Sequence, residues 1–318
     1  MRVLITGGTG SLGHALVRRW KDTAERIVIF SRDEWKQAEM ARTYPEGGAQ
    51  GVRYFLGDVR DKERLQQALV GIDTVIHAAA LKRVDAVAYN PVEVLKTNVL
   101  GTQYVIEASM ASGVRTVLVV SSDKSVEPSN VYGSSKNVAE HLAVSANVYA
   151  VPRGTRVSVV RYGNVAWSRG SVLWAWDDRD HQRPVPITDR RMTRFWLTLD
   201  QAVDLIEAGL NLLPGEVLIP QLRAASLVDV AYAMFGYAHP IEETGLRPGG
   251  EKIHETLLGI NEIDRAVAHR GYFVLGPHLP TWSATEPLVS NVSEAYASDT
   301  APKMTREEIM GLLRSKPV

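Results

Sequence analysis

Short apolar, β-branched runs recur through the first half of the chain, and each gives way to a turn and then to helical spacing. Residues 3–5, 27–30, 52–56, 74–77, 116–120 and 157–160 are such runs and are expected as buried strands. Between them, 14–20, 62–70, a long segment from 90, and another from 132 to 148 are expected as helices. Asp61 is placed to cap the helix from Lys62. Asn90 is placed to cap the long one, with Pro91 in its first turn and Glu93 three after the cap. The alternation predicts an α/β fold with a doubly wound parallel sheet. From Ala166 the pattern loosens. Asp200 opens a helix to Leu213, 217–220 is a short strand, Ser226 caps the next helix, and Thr305 with Glu308 frames a last surface helix. Two stretches, 45–51 and 276–302, carry little pattern.

The first strand runs into Gly7, Gly10 and Gly13 and then a helix. Glycines let a strand turn tightly and let backbone approach a pyrophosphate at a helix N-terminus, as in Rossmann folds. The spacing is not GxGxxG, and an ordinary structural turn is the plain alternative. The second strand ends at Ser31-Arg32-Asp33-Glu34, where such folds meet the adenosine ribose. Arg32 favours NADP, with NAD the lesser option, while Asp33 and Glu34 suit a helix start. Asp58 could accept from an adenine amine. Ala78, Ala79 and Ala80 would let a cofactor lie on the backbone. Asn98 is a polar group that could support the cofactor loop. His77 reads as a packing histidine. These features divide the chain into an NADP-binding Rossmann domain over 1–165 and a smaller C-terminal α/β lobe over 166–318. The lobe is mainly for substrate and partly interleaved with the first domain.

The densest chemistry lies at 119–136, where Ser121 and Ser122 precede Asp123-Lys124, and Tyr132 precedes Lys136 by four. Asp123 and Lys124 follow a buried strand, at the carboxyl edge where open sheets bind ligands. Tyr132 and Lys136 share a helix face. A cation held beside the phenol would lower its pKa and suit it to acid/base work. Alone, such a pair is common on surface helices. Arginines are dense at 169, 179, 183, 190, 191 and 194, and guanidinium forks suit phosphates, though a solvated basic face explains any one of them equally. Glu251 and His254 have metal-ligand spacing, but no second pair exists and no metal is expected.

The chain has 318 residues, room for one α/β domain with an appended lobe. Lys plus Arg and Asp plus Glu both number 36, so the net charge is zero. Neither nucleic acid nor membrane is expected as a partner. There is no cysteine, which excludes disulfides and thiolate zinc sites and fits a reducing cytoplasm. The chain opens directly on a strand without a signal-peptide pattern, and no apolar run approaches the ~20 residues needed to cross a bilayer.

Taken together, ITGGTGSLG, FSRDEWKQAEM, HAAALKRVDAVAYNPVEVLKTNVLGTQ, SSDKSVEPSNVYGSSK, RYGNV with SRGSV, PITDRRMTRFW and RPGGEKIHE resemble the extended short-chain dehydrogenase/reductases. Within that group the chain is similar to the UDP-N-acetylglucosamine 4,6-dehydratases that invert carbon 5. The resemblance spans residues 3 to 258. It implies an NADP-dependent hydro-lyase of polysaccharide biosynthesis acting on a UDP-sugar, and a homo-oligomer. In that chemistry Tyr132, supported by Lys136, is the base for oxidation at carbon 4. Lys124 removes the carbon 5 proton, Asp123 protonates the departing carbon 6 hydroxyl, and Ser122 takes the place of the usual threonine beside them. Lys124 would then have to be neutral part of the time, with a depressed pKa.

The resemblance extends the cofactor set to Thr9, Ser11, Leu12, Val59 and Lys82, beside the glycines, Ser31, Arg32, Asp58, the three alanines, Asn98, Tyr132 and Lys136. For substrate it implies Lys82, Asn164, Arg169, Thr193, Arg194, Arg247 and Glu251, with Arg169, Arg194 and Arg247 on the diphosphate. Departures are Ser122 for threonine, Glu127 for asparagine, an extra glycine in Arg247-Pro-Gly-Gly-Glu251, and Trp174 with Trp176. A 4- or 5-epimerase/reductase on the same fold, or a non-catalytic NADP-binding protein, are the competing readings.

Overall fold

The six apolar runs form the parallel body of one sheet: β1 (Arg2–Thr6), β2 (Arg26–Ser31), β3 (Val52–Leu56), β4 (Thr74–His77), β5 (Thr116–Val120) and β6 (Arg156–Val160). The computed structural model describes residues 1–47, 51–247, 249–278 and 288–317. Pro248 and parts of the two weakly patterned stretches lie outside the described residues. Successive side chains of β1 point to opposite faces. Leu4 packs with Val105, Val119 and Val157 on one side, Ile5 with Leu16, Ile29 and Ile206 on the other. Fully burying one such side chain contributes about 1.5–3 kcal/mol.

Three helices cover the early crossovers: α1 (Ser11–Trp20), α2 (Glu34–Thr43) and α3 (Lys62–Ala68). Asp61 caps α3 by accepting from the Arg64 amide at 2.9 Å. The segment expected as one capped helix from Asn90 differs. After a preceding helix, α4 (Val84–Tyr89), it is α5 (Pro91–Val94), a π-helical turn over Leu95–Leu100, and α6 (Gly101–Ala111). Asn90 makes no cap bond. Its side chain donates backwards to the Ala86 carbonyl at 2.8 Å, and Glu93 pairs with Arg60 and Lys96. Local capping chemistry loses here to the preceding helix, which offers Asn90 a closer acceptor. Next come α7 (Val131–Ser145) and α8 (Asn147–Ala150).

The second half weaves between sheet and lobe. In the lobe lie β7 (Asn164–Val165), α9 (Val172–Asp177), β8 (Val185–Ile187) and β9 (Thr193–Leu197). Then α10 (Leu199–Gly209) packs on α1, and β10 (Val217–Pro220) joins the sheet beside β6. The lobe resumes with β11 (Ala224–Ser226), α11 (Leu227–Phe235), β12 (Ile241–Glu243) and β13 (Thr256–Leu258). The chain returns to the sheet as β14 (Ala266–His269) and antiparallel β15 (Tyr272–Leu275), then ends in the lobe with β16 (Tyr296–Ala297) and α12 (Arg306–Arg314). Among the described residues the sheet order is β14-β15-β10-β6-β5-β4-β1-β2-β3. Residue 166 is therefore no clean boundary, since the sheet draws strands from as far as Leu275.

The lobe core is built on Trp167, Trp176 and Trp196 with Leu173, Met192 and Ile309. Trp167 adopts a left-handed φ of 56° and donates from its indole to the Leu313 carbonyl at 3.0 Å. Among the described residues no helix is long and apolar enough to cross a membrane.

Candidate active site

The sheet order reverses between β1 and β4, and a cavity of about 1520 Å³ opens at their carboxyl ends. Gly7 turns out of β1 at φ +65°, and a Cβ there would lie 2.8 Å from Ala79 Cα. Only a bare backbone fits between the two loops. Gly7, Thr9, Gly10, Ser11 and Leu12 line one wall, with Ala78, Ala79, Ala80 and Lys82 beside them. Gly13 lies behind, where a Cβ would run into the Gly8 backbone, and serves helix packing. Ser31, Arg32 and Val59 line the far end, joined by Lys36.

Several expected ligands act from outside the wall. The Asp58 carboxylate is bonded to Arg60 (Nη2 at 2.7 Å, Nε at 3.0 Å) and lies 3.4 Å from Arg32, so its oxygens are committed. Asn98 is buried in the π-helical turn. It accepts from the Leu81 amide at 2.8 Å and donates to the Leu81 carbonyl at 3.0 Å and Ser135 Oγ at 2.9 Å, clamping the alanine loop. His77 is sandwiched between Thr6 and Thr102 hydroxyls, and burial pulls its pKa down to about 3, so it packs as a neutral ring.

Ser122, Lys124, Tyr132 and Lys136 line the cavity, and Asp123 is fully buried directly behind Ser122 and Lys124. Ser122 Oγ donates to Asp123 Oδ1 at 2.8 Å, and Lys124 Nζ reaches the same oxygen at 2.9 Å. Asp123 Oδ2, fully buried, has no hydrogen-bond partner among the described residues. Lys124 also donates to Asn164 Oδ1 at 3.3 Å and lies 3.3 Å from Glu255 Oε1. Asn130 caps α7 by accepting from the Gly133 amide at 2.9 Å. Gly133 lets α7 press on the turn, since a Cβ there would collide with the Lys124 carbonyl. Tyr132 and Lys136 thus face the cavity together.

The electrostatics differ from the expectation at two points. Burial pushes the Tyr132 phenol up, and the cation that opposes this is Lys124, aided by Ser122. Lys136 spends its ammonium on the Val120 carbonyl at 2.6 Å, and burial brings it down to about 8. Burial also disfavours the Lys124 charge, but Asp123 and Glu255 outweigh it, so its pKa is raised, not depressed. Burial holds Asp123 above the usual carboxylate range despite Lys124.

The expected substrate residues split. Lys82, Asn164, Arg169 and Arg247 line the cavity, and Arg169 through its backbone amide also meets Ser11 Oγ at 2.9 Å. Arg194 reaches the wall but is almost wholly buried. Its guanidinium donates to the Thr193, Ile253 and Lys252 carbonyls at 2.8, 2.9 and 3.0 Å and pairs with Glu251 at 3.3 Å. It braces the segment before β13 instead of projecting toward a diphosphate. Thr193 bonds His254 and Ser298 at 2.8 and 2.7 Å and does not line the cavity. Glu251 lies between Arg194 and Arg247. Among the described residues no cluster suits a metal. Sequence reasoning missed Glu255 and Lys36. The signal for Glu255 was an acid directly before the short strand-like run Thr256-Leu257-Leu258.

A sequence profile of the family described as Polysaccharide biosynthesis protein matches residues 3–277. The inverting UDP-N-acetylglucosamine 4,6-dehydratase of Campylobacter jejuni is 40% identical over 285 residues, covering 87% of this chain and 83% of that protein. The UDP-glucose 4-epimerase of Rickettsia conorii is 34% identical over 331 residues, covering 98% and 94%. Among solved structures, Pen from Bacillus thuringiensis matches with a TM-score of 0.89 at 33% identity, covering 99% of this chain and 97% of that one.

Proposed function

The chain belongs to the polysaccharide biosynthesis protein family, and on that premise we propose that it is a nucleotide-sugar 4,6-dehydratase. The reaction is loss of water from UDP-N-acetylglucosamine with inversion at carbon 5, which makes the protein a lyase. The observation that carries this reading is Asp123. One oxygen is taken by Ser122 and Lys124, and the other is buried without a partner among the described residues. Elimination needs a carboxylic acid for the departing carbon 6 hydroxyl and a neutral amine for the carbon 5 proton. One proton shift across 2.9 Å, from Lys124 Nζ to Asp123, creates both at once. Lys124 then takes the carbon 5 proton, the electron pair moves toward the carbon 4 ketone and returns to form the carbon 5–carbon 6 double bond, and the carbon 6 hydroxyl leaves as water with the Asp123 proton. In the earlier oxidation the Tyr132 phenol first gives up its proton, a state that the Lys124 cation favours, and the phenolate accepts the carbon 4 hydroxyl proton, with Lys136 four residues on held on the Val120 carbonyl.

A bound nicotinamide dinucleotide supplies hydride acceptance at carbon 4 and hydride return at carbon 6. The residues fit such a group, because the Gly7–Ala79 contact leaves bare backbone for a pyrophosphate to approach. We take it to be NADP, since Arg32 and Lys36 put two cations at the ribose end. Lys82, Arg169 and Arg247, all lining the cavity, are the cations we assign to the substrate diphosphate. A homo-oligomer is part of the reading, supported by exposed Val92, Leu95, Val138 and Tyr149 on neighbouring helices, and light scattering tests it.

The epimerase name of the Rickettsia relative defines a second reading. Epimerisation needs Tyr132 and Lys136 but gives Asp123 and Lys124 no task. Incubation with UDP-N-acetylglucosamine in deuterated water separates the two. The expected product has lost one water and carries deuterium at carbon 5, and Lys124→Ala abolishes both. A product of unchanged mass epimerised at carbon 4 overturns the dehydratase reading.

A further inference from the structure

Lys124 Nζ is surrounded by three acceptors: Asp123 Oδ1 at 2.9 Å, Asn164 Oδ1 at 3.3 Å and Glu255 Oε1 at 3.3 Å. An ammonium has three N–H donors, so the resting cation is saturated. Once the proton passes to Asp123, the amine keeps two N–H groups for these three directions, and with one held on Glu255 a turn about the Cε–Nζ bond swings the lone pair off Asp123 to the Asn164 side, where the cavity opens. Glu255 is itself rigidly held. It is buried, and its backbone amide donates to Ser298 Oγ at 2.9 Å. The preceding segment is braced by Arg194 through the Ile253 and Lys252 carbonyls. Glu255 Oε2 faces Lys252 Nζ at 3.4 Å, and Lys252 is anchored on the Val126 carbonyl at 2.6 Å.

Building on the dehydratase reading, we propose that Glu255 is a positioning residue for elimination, orienting the Lys124 amine toward carbon 5 and setting the pH range over which the Asp123–Lys124 pair holds its single proton. Orientation and charge are separable. A glutamine keeps an acceptor at the same place, and an alanine removes both. The charged and titratable groups facing this centre are Asp123 and Lys124 on the turn, Tyr132 on α7, Lys82 after β4, Arg194 on β9, and Lys252 beside Glu255. Glu255 favours the protonated form of both members of the pair. Because the pair works in its singly protonated state, it has an acid limb, where Asp123 gains a proton, and an alkaline limb, where the pair loses its last one. Removing a negative charge lowers both.

The test follows carbon 5 deuterium incorporation and water loss from UDP-N-acetylglucosamine against pH, with the wild type measured alongside. Glu255→Gln should move the whole bell to lower pH by about 1–3 units, the range for one charge within a few ångströms. Its plateau should stay within about tenfold of wild type. Glu255→Ala should lose the plateau by about 100-fold, as expected when a reacting group is misplaced. Lys252→Met, which keeps Glu255 and removes one of the two further cations beside it, should move the bell to higher pH and covers the case in which the Glu255 variants fail to fold. If Glu255→Gln or Lys252→Met changes only the height of the bell, the assignment of Glu255 is overturned while the dehydratase reading stands. If the wild type neither exchanges carbon 5 nor loses water, the dehydratase reading falls, and the role of Glu255 in elimination falls with it.

Discussion

Replacing Arg161 by methionine tests what holds the catalytic turn in place. Arg161 is buried at the end of β6 and bonds two carboxylates. It reaches Glu140 Oε2 at 2.6 Å and Oε1 at 3.1 Å, Glu262 Oε2 at 2.7 Å and Oε1 at 2.8 Å, and the Leu257 carbonyl at 2.9 Å. Glu140 in turn accepts from Ser125 Oγ at 2.6 Å, so the cation ties α7, the Asp123 turn and the entry to β13 into one knot. At an effective dielectric of about 20, each ion pair is worth about 4 kcal/mol, or about 8 for both. Desolvation takes back several kcal/mol per ion, leaving little net gain. Removal is another matter, since it strands two buried carboxylates at a cost of roughly 3–5 kcal/mol.

The loss should depend on pH, with a sign fixed by Glu262. Burial pushes that carboxyl up, but Arg161 outweighs it and holds it low. In the wild type this contribution is full above the unfolded pKa of about 4.3 and is lost as pH falls through the folded value. In Arg161→Met burial acts without the cation, so acidification relieves the variant while it weakens the wild type. Urea unfolding should give the full gap at neutral pH and a much smaller one near pH 4. A loss below about 1 kcal/mol at neutral pH, or a gap of equal size at both, refutes this account.

Glu127 stands at φ 45° on an exposed loop, a conformation that costs a glutamate about 1 kcal/mol and an asparagine less. Glu127→Asn should therefore raise stability by about 0.5–1 kcal/mol, read from the unfolding midpoint with activity unchanged. Gly133→Ala adds helix propensity of about 1 kcal/mol but drives a methyl into the Lys124 carbonyl. Turnover should fall by about 100-fold with a far smaller change in melting temperature. Arg32→Ala should weaken NADP binding at least about tenfold while leaving NAD nearly untouched, measured by calorimetry, and equal losses for both would remove Arg32 from the ribose end.

The strands were legible because β5 and β6 are buried on both faces and so read as continuous apolar runs. Asp123, Lys124, Tyr132 and Lys136 were legible because strand end and helix spacing bring them together locally. What sequence could not supply was the far partner. Lys124 was expected to have a depressed pKa because elimination needs a neutral amine, yet Asp123 beside it and Glu255, which folds in from the lobe, together raise it. Arg194 was placed on the diphosphate by the family resemblance, but the carbonyls of Thr193, Lys252 and Ile253 take up its guanidinium. Asn90 carried every local sign of a cap and spends its amide on the previous helix instead.

The weaving of β10, β14 and β15 back into the main sheet has a consequence for how such chains can be recombined. A single crossover near residue 166 would separate β6 from β10, its neighbour in the sheet, and expose the apolar edge of Val157, Val159 and Val160. A foreign lobe joined there would bring its own last three sheet strands, matched to another parent's β6. Productive chimeras must therefore exchange the lobe as separate inserts, one between β6 and α10, one between β10 and β14, and one after β15. The first two inserts leave and re-enter the same parental sheet, and the third leaves it after β15. Within this family, new substrate preferences are accordingly easier to reach by piecemeal replacement of lobe segments than by wholesale shuffling of a half-gene.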